Sequence, residues 1–176
     1  MASAALHELL NAMPDDDAAR ALRRCCGSTR WVRAMIARRP FGSAAQVHDE
    51  AATLWRALDR DDVLEAFADH PPIGGGRPAV DGAQERRLRD TAAWSNAEQA
   101  AVAEATDGTK RELADANEAY LARFGFIFIV CASGKSAGEM LGLLRARLGN
   151  DPRDELAVAA AEQEKITHLR LEKLAS

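Results

Sequence analysis

Cysteine is scarce in this chain, with only Cys25, Cys26 and Cys131 among 176 residues. Two are adjacent, the third is distant and no CxxC spacing exists, which excludes a disulfide framework and fits a reducing compartment. No apolar run approaches the roughly 18 residues needed to cross a bilayer. The first thirty or so positions lack the apolar centre of a secretory signal, and Asp15, Asp16 and Asp17 interrupt an amphipathic targeting reading. The last residues, Leu174-Ala175-Ser176, are not a peroxisomal address. The expected location is therefore the cytoplasm, with no membrane partner. An excess of positive charge is missing too: 23 Lys and Arg against 27 Asp and Glu give a net charge of −4. That balance argues against a protein that grips nucleic acid through bulk electrostatics.

Alanine is what the chain has in quantity, 37 residues beside only 5% aromatics. Ala loses no side-chain entropy in a helix, so this mixture favours helix strongly. With 28% charged and 47% apolar residues in 19.0 kDa, the composition is that of one globular domain able to bury a core. Start and stop signals divide it into helices. Ser3 caps one through Leu10; Pro14 and the three aspartates open a second, closed by Arg23, Arg24 and Gly27. Ser28 caps a third that Pro40 stops, Ser43 a fourth to about Leu58, and a fifth covers Asp61 to Ala68. Prolines and glycines then make His70 to Gly82 a 13-residue loop, a length that is often functional. Helices resume at Ala83, Ser95 and Thr109, the last running to Arg123 with Gly125 past its end. Residues 126–131 form a short apolar run with no sheet to join, so a strand and a buried extended segment are both open readings. Ser136 caps a helix to Gly149, and Asp151-Pro152 opens a long final one to Leu174. The fold class is all-α: a single-domain bundle, residues 1–176, of about eight to ten helices with one short buried extended segment.

Several motifs carry a sharp reading and a plain one. Seven arginines and no acid occupy residues 20–39; they suggest a phosphate-binding face, or two solvated basic helix faces. Gly134-Lys135-Ser136 imitates the end of a P-loop, but Ile129 stands where that motif needs Gly. Ser136 with Glu139 reads better as a capping box. His7, His48, His70 and His168 show no metal-ligand spacing, so no metal is expected, and Cys131 reads as a buried inert thiol. His70 stands at a helix end on a turn stiffened by Pro71 and Pro72, well placed for acid–base work or for bonding the last carbonyls. Ser95 and Glu98 form either a capping box or a helix start facing a pocket. Arg170 shares a helix face with Ile166; it is a snorkelling surface residue, or a core-facing Arg that needs a carboxylate or ligand.

Six pieces, in order, resemble the 2-oxo-4-hydroxy-4-carboxy-5-ureidoimidazoline (OHCU) decarboxylases of uric acid degradation. They are Asp69-His70-Pro71-Pro72-Ile73-Gly74, Ser95-Asn96-Ala97-Glu98-Gln99, the stretch 117–126 (NEAYLARFGF), Glu139-Met140-Leu141, Arg147-Leu148-Gly149-Asn150 and Ile166-Thr167-His168-Leu169-Arg170-Leu171. The resemblance covers residues 6–174, with Ile127 where many members carry Pro. It implies an all-helical homodimer that converts OHCU to (S)-allantoin and CO2. By position, it implies His70, Glu98 and Arg170 as catalytic residues. The implied substrate contacts are Pro71, Ser95, Asn96, Ala97, Gln99 and the backbone of Phe126, Ile127, Phe128, Ile129 and Val130. No cofactor is expected, because the substrate's own C=N can take the electron pair that decarboxylation leaves. Two other readings are a helical scaffold that only binds a partner, and a related cofactor-free ureide lyase.

Overall fold

A computed structural model describes residues 5–73 and 100–176. Among the described residues there are helices and no strands. In chain order the helices are α1 (Leu6–Ala12), α2 (Asp15–Cys25), α3 (Thr29–Ala37), α4 (Ala44–Arg56), α5 (Arg60–Ala68), α6 (Ala100–Ala103), α7 (Asp107–Phe124), α8 (Ala137–Arg147) and α9 (Pro152–Leu174). None is long and apolar enough to cross a membrane. The chain divides into two compact units, one of residues up to Ala66 together with Glu164–Ser176, the other within Phe67–Gln163.

In the first unit α3 packs between α2 and α4, and α1 lies on α4. Leu10, Leu22, Trp31, Met35 and Val47 are fully enclosed there. The Trp31 indole N–H donates to the Ala51 carbonyl at 3.0 Å, so the largest core side chain leaves no polar atom stranded. Two expected caps are present: the Ser28 hydroxyl accepts from the Trp31 N–H at 3.3 Å, and the Ser43 hydroxyl from Gln46 at 3.1 Å. Glu65 adds a second hold on α3, taking the Thr29 N–H at 2.8 Å and its hydroxyl at 2.6 Å. A carboxylate there complements the positive end of the helix dipole. The arginine-rich stretch is laced to acids: Arg20 to Asp17, Arg23 to Glu65, Arg30 to Asp59 and Asp62, Arg38 to Glu50, Arg39 to Asp15. Five of the seven arginines are thus paired with acids, which favours solvated basic helix faces over a phosphate-binding face.

Some boundaries differ from expectation. The first helix is capped at Ala5, whose N–H donates to Glu8 at 3.1 Å, and runs on to Ala12; Ser3 lies outside the described residues. Pro14 ends it by holding Met13 extended. α4 stops at Arg56 because the Leu58 N–H turns back to Trp55. α7 begins at Asp107, not Thr109, because Thr106 is the cap that accepts from the Thr109 N–H. The helices expected from Ala83 and Ser95, and the loop beyond Ile73, fall mostly outside the described residues; α6 begins at Ala100.

In the second unit α7 packs on α8. Gly125 closes α7 at φ 77°, its N–H donating to the Leu121 carbonyl at 2.8 Å, a conformation that costs glycine nothing. Residues 126–131 then run without a strand partner, buried except for half-buried Ile127. The strand reading is not met, and the run is buried without a ladder. Ser136 and Glu139 form the expected capping box on α8, and the Lys135 ammonium is tied to the Cys131 carbonyl at 2.7 Å.

Candidate functional site

His70 is the second residue past α5, half-buried, with its N–H on the Phe67 carbonyl at 3.1 Å. Pro71 and Pro72 follow, and neither has an N–H to donate. Ile73 is a further anchor, with a buried side chain and a carbonyl that accepts from the Asn117 amide of α7 at 2.7 Å. The same Asn117 nitrogen donates to Leu113, one turn back on α7, at 2.8 Å. The His-Pro-Pro turn is therefore bracketed by a helix end on one side and a buried amide on the other.

One turn along α7, Tyr120 holds the second element. Its ring packs against Phe126 and Phe128 at centroid distances of 5.8 and 5.4 Å, both edge-on. Its hydroxyl donates to the fully buried Glu155 of α9. Burial, and then that bond, push the Tyr120 phenol above its ordinary range, so it stays a neutral donor. Glu155 also accepts from the Arg147 Nε–H at 2.7 Å and from the Asn150 amide at 2.7 Å. The Arg147 guanidinium completes the set by donating to the Ile129 carbonyl at 2.8 Å, with its carbon 4.6 Å from the centre of the Phe128 ring. At the far end, the Cys131 N–H donates to Glu162 at 2.8 Å. Residues 126–131 are thus held by the buried Arg147 and the half-buried Glu162 rather than by a β-ladder.

The structure brings two of the expected groups into one unit: the His70-Pro71 turn and the run of Phe126, Ile127, Phe128, Ile129 and Val130. Phe67, three residues before His70, touches the Phe126 ring at 5.5 Å, and α7 anchors both through Asn117 and Tyr120. Ser95, Asn96, Ala97, Glu98 and Gln99 lie outside the described residues. Arg170 belongs to the other unit. It is 2% exposed, and its guanidinium donates to the Arg24 carbonyl at 3.2 Å. The snorkelling reading is overturned: α9 turns this face inward. Among the described residues no group of three potential metal ligands exists. Cys131 is buried and unbridged.

Sequence reasoning missed Glu155 altogether. Acids in a first helical turn, here Asp154 and Glu155 after Pro152, read as partners of the helix dipole. Only burial separates the one that faces inward. Asn117, Tyr120 and Arg147 stood inside the motif pieces, but nothing in their spacing marked them as braces.

The family model described as OHCU decarboxylase matches residues 11–172. The uric acid degradation bifunctional protein TTL of Arabidopsis thaliana is 39% identical over 154 residues, which are 86% of this chain and 45% of that protein. The chain thus spans less than half the length of that relative. A crystal structure of OHCU decarboxylase in the presence of (S)-allantoin matches with a TM-score of 0.74 and 34% identity, covering 92% of this chain and 98% of that one. A solved (S)-allantoin synthase matches with a TM-score of 0.67 over 95% of this chain and 53% of its own. At 19% identity it speaks for the fold alone.

Proposed function

The chain belongs to the OHCU decarboxylase family, whose model spans residues 11–172, and from that premise we propose that it converts OHCU to (S)-allantoin and CO2. The observation that carries this reading is the likeness, at 34% identity over 98% of its length, to a solved OHCU decarboxylase. The all-helical frame fits it. So does a histidine on a braced turn, in the same unit as a buried run of irregular backbone.

The chemistry suits such a site without an added electron sink. When the carboxylate leaves as CO2, its bonding pair moves toward the neighbouring carbon and on to the ring C=N nitrogen, which takes up a proton. The hydroxyl then becomes a carbonyl as its proton departs, and the neighbouring carbon gains a proton. His70 is the group assigned to the hydroxyl and to proton handling, with Glu98 orienting it or the substrate. An imidazole titrates in the range where both directions of transfer are accessible. Ser95 and Gln99 would bond the ring or ureido group, with Asn96, Ala97 and Pro71 as further substrate contacts. Arg170 would fix an anionic or carbonyl edge; an Arg this buried suits planar recognition of such an edge. The backbone of residues 126–130 would read the ureido arm with the groups that Arg147 leaves available. The same reading takes the two units as one domain, acting as a cytoplasmic homodimer.

Freshly generated OHCU decays unaided to racemic allantoin, so circular dichroism of the product separates catalysis from decay. Rapid appearance of (S)-allantoin with the protein supports the proposal. A racemate formed at the spontaneous rate would refute it and leave a scaffold that only binds a partner.

A further inference from the structure

We infer that Asn117, which touches neither the proposed reacting atoms nor His70 itself, is a positioning residue that sets where the His70 imidazole stands. The inference rests on the decarboxylase reading for its catalytic consequence, but the geometry it invokes stands by itself. From Phe67 to Ile73 the backbone leaves α5 and turns. Between the two anchors, the N–H of His70 on Phe67 and the carbonyl of Ile73 on Asn117, Pro71 and Pro72 contribute no donor. A proline pair limits φ but does not choose where the turn as a whole lies against its neighbours. That choice falls to the turn's contacts with its neighbours, and the Ile73 carbonyl on the buried Asn117 amide is one of them.

The far anchor needs an amide. One nitrogen of Asn117 donates both its hydrogens, to Ile73 at 2.7 Å and to Leu113 at 2.8 Å. A carboxylate in its place would face two carbonyl oxygens; protonated, it would restore one bond of the two. A hydroxyl also has one hydrogen to give. The side chain is buried, and its amide oxygen has no hydrogen-bond partner, a state that costs stability. A residue kept only for packing would gain by losing that oxygen. What the amide supplies in return is a cross-link from α7 to the turn, one helical turn from Tyr120, which braces the 126–131 run. α7 therefore carries a hold on both the turn that bears the imidazole and the backbone proposed to read the substrate.

The test compares wild type, Asn117→Leu and Asn117→Asp in the full chain. With OHCU as substrate, N117L should lose about 100-fold in kcat, the scale of a misplacement near 1 Å, with KM changed far less, and the enantiomeric excess of the allantoin should fall. N117D should be as impaired near neutral pH and recover part of its kcat, relative to wild type, as the pH is lowered and the carboxyl regains a hydrogen. Independently of turnover, the His70 imidazole NMR signal, assigned with His70→Gln, should shift in N117L while those of His7, His48 and His168 stay in place. Wild-type kcat and product chirality in N117L, or an unmoved His70 signal, would overturn the inference. So would a loss of activity in both variants that tracks the unfolded fraction alone. If wild type does not turn over OHCU, the decarboxylase reading fails, and the imidazole signal still decides whether Asn117 positions His70.

Discussion

Arg147 and Glu155 meet 2.6 Å apart with the carboxylate side chain wholly shut off from solvent and the guanidinium 10% exposed. Around them, Tyr120, Asn150 and the Ile129 carbonyl add further hydrogen bonds. A buried pair survives only when desolvation is offset by such additional partners.

Arg147→Met should therefore destabilise the chain by about 3–5 kcal/mol, because Glu155 is left charged without its counter-ion. Adding Glu155→Leu to it should recover a large part of that loss. Urea unfolding of the two variants checks both. A loss below about 1 kcal/mol for the single variant would mean that the pair does not hold this region. Releasing the Ile129 carbonyl should also raise KM for OHCU more than it lowers kcat.

His70→Gln keeps the size and polarity of the side chain but cannot cycle a proton near neutral pH. Acceleration of (S)-allantoin formation should drop by about 10²–10⁴-fold, with the urea midpoint unchanged within error. Rapid, stereospecific turnover in H70Q would remove His70 from its role.

The imidazoles of His48 and His168 stack with centroids 5.0 Å apart and share a hydrogen bond between their Nδ1 atoms at 2.7 Å. Burial first, then the neighbouring His168, hold the His48 pKa below its usual value, against the opposing pull of Glu172 and Asp49. The unfolded chain then binds this proton more readily than the folded one, so stability rises with pH in that window. Stability should be highest above the ordinary histidine value of about 6.5 and decline as the pH falls from there toward the lower folded-state value. His48→Gln should flatten that decline in melting temperature followed by circular dichroism. An equal slope in wild type and variant would show that other groups cause it.

Ser28 is a buried helix cap. Replacing it with Ala strands the Trp31 N–H at the start of α3 and should cost about 1 kcal/mol, within the usual range for such caps. Glu65 still holds Thr29, so the helix should persist in the variant, as helical circular dichroism at unchanged amplitude would report.

Capping is where the sequence was most legible. Ser28, Ser43, Ser136 and Gly125 each act over three or four residues, and each sits where its local chemistry requires. Boundaries slipped where the deciding contact was less obvious, as at Ala5, which has no capping side chain and whose N–H is held by Glu8. The candidate site was legible as a set of motifs and as a resemblance, and His70 at its helix end is where the prolines predicted. Its bracing was not legible. Asn117, Arg147 and Glu155 are ordinary helix residues by composition, and the partners that give them meaning lie 44, 18 and 35 residues away in the chain.

What the chain determined by itself was its helical class, the caps at Ser28, Ser43, Ser136 and Gly125 and the stiff turn after α5, because propensity, capping and proline geometry are settled among near neighbours. The tertiary structure alone decided that Arg170 turns inward, that Glu155 is the buried acid of its helix, and that α7 carries both the turn and the run after Gly125. Those outcomes depend on which faces are desolvated together, and desolvation is a property of packed elements rather than of any one of them.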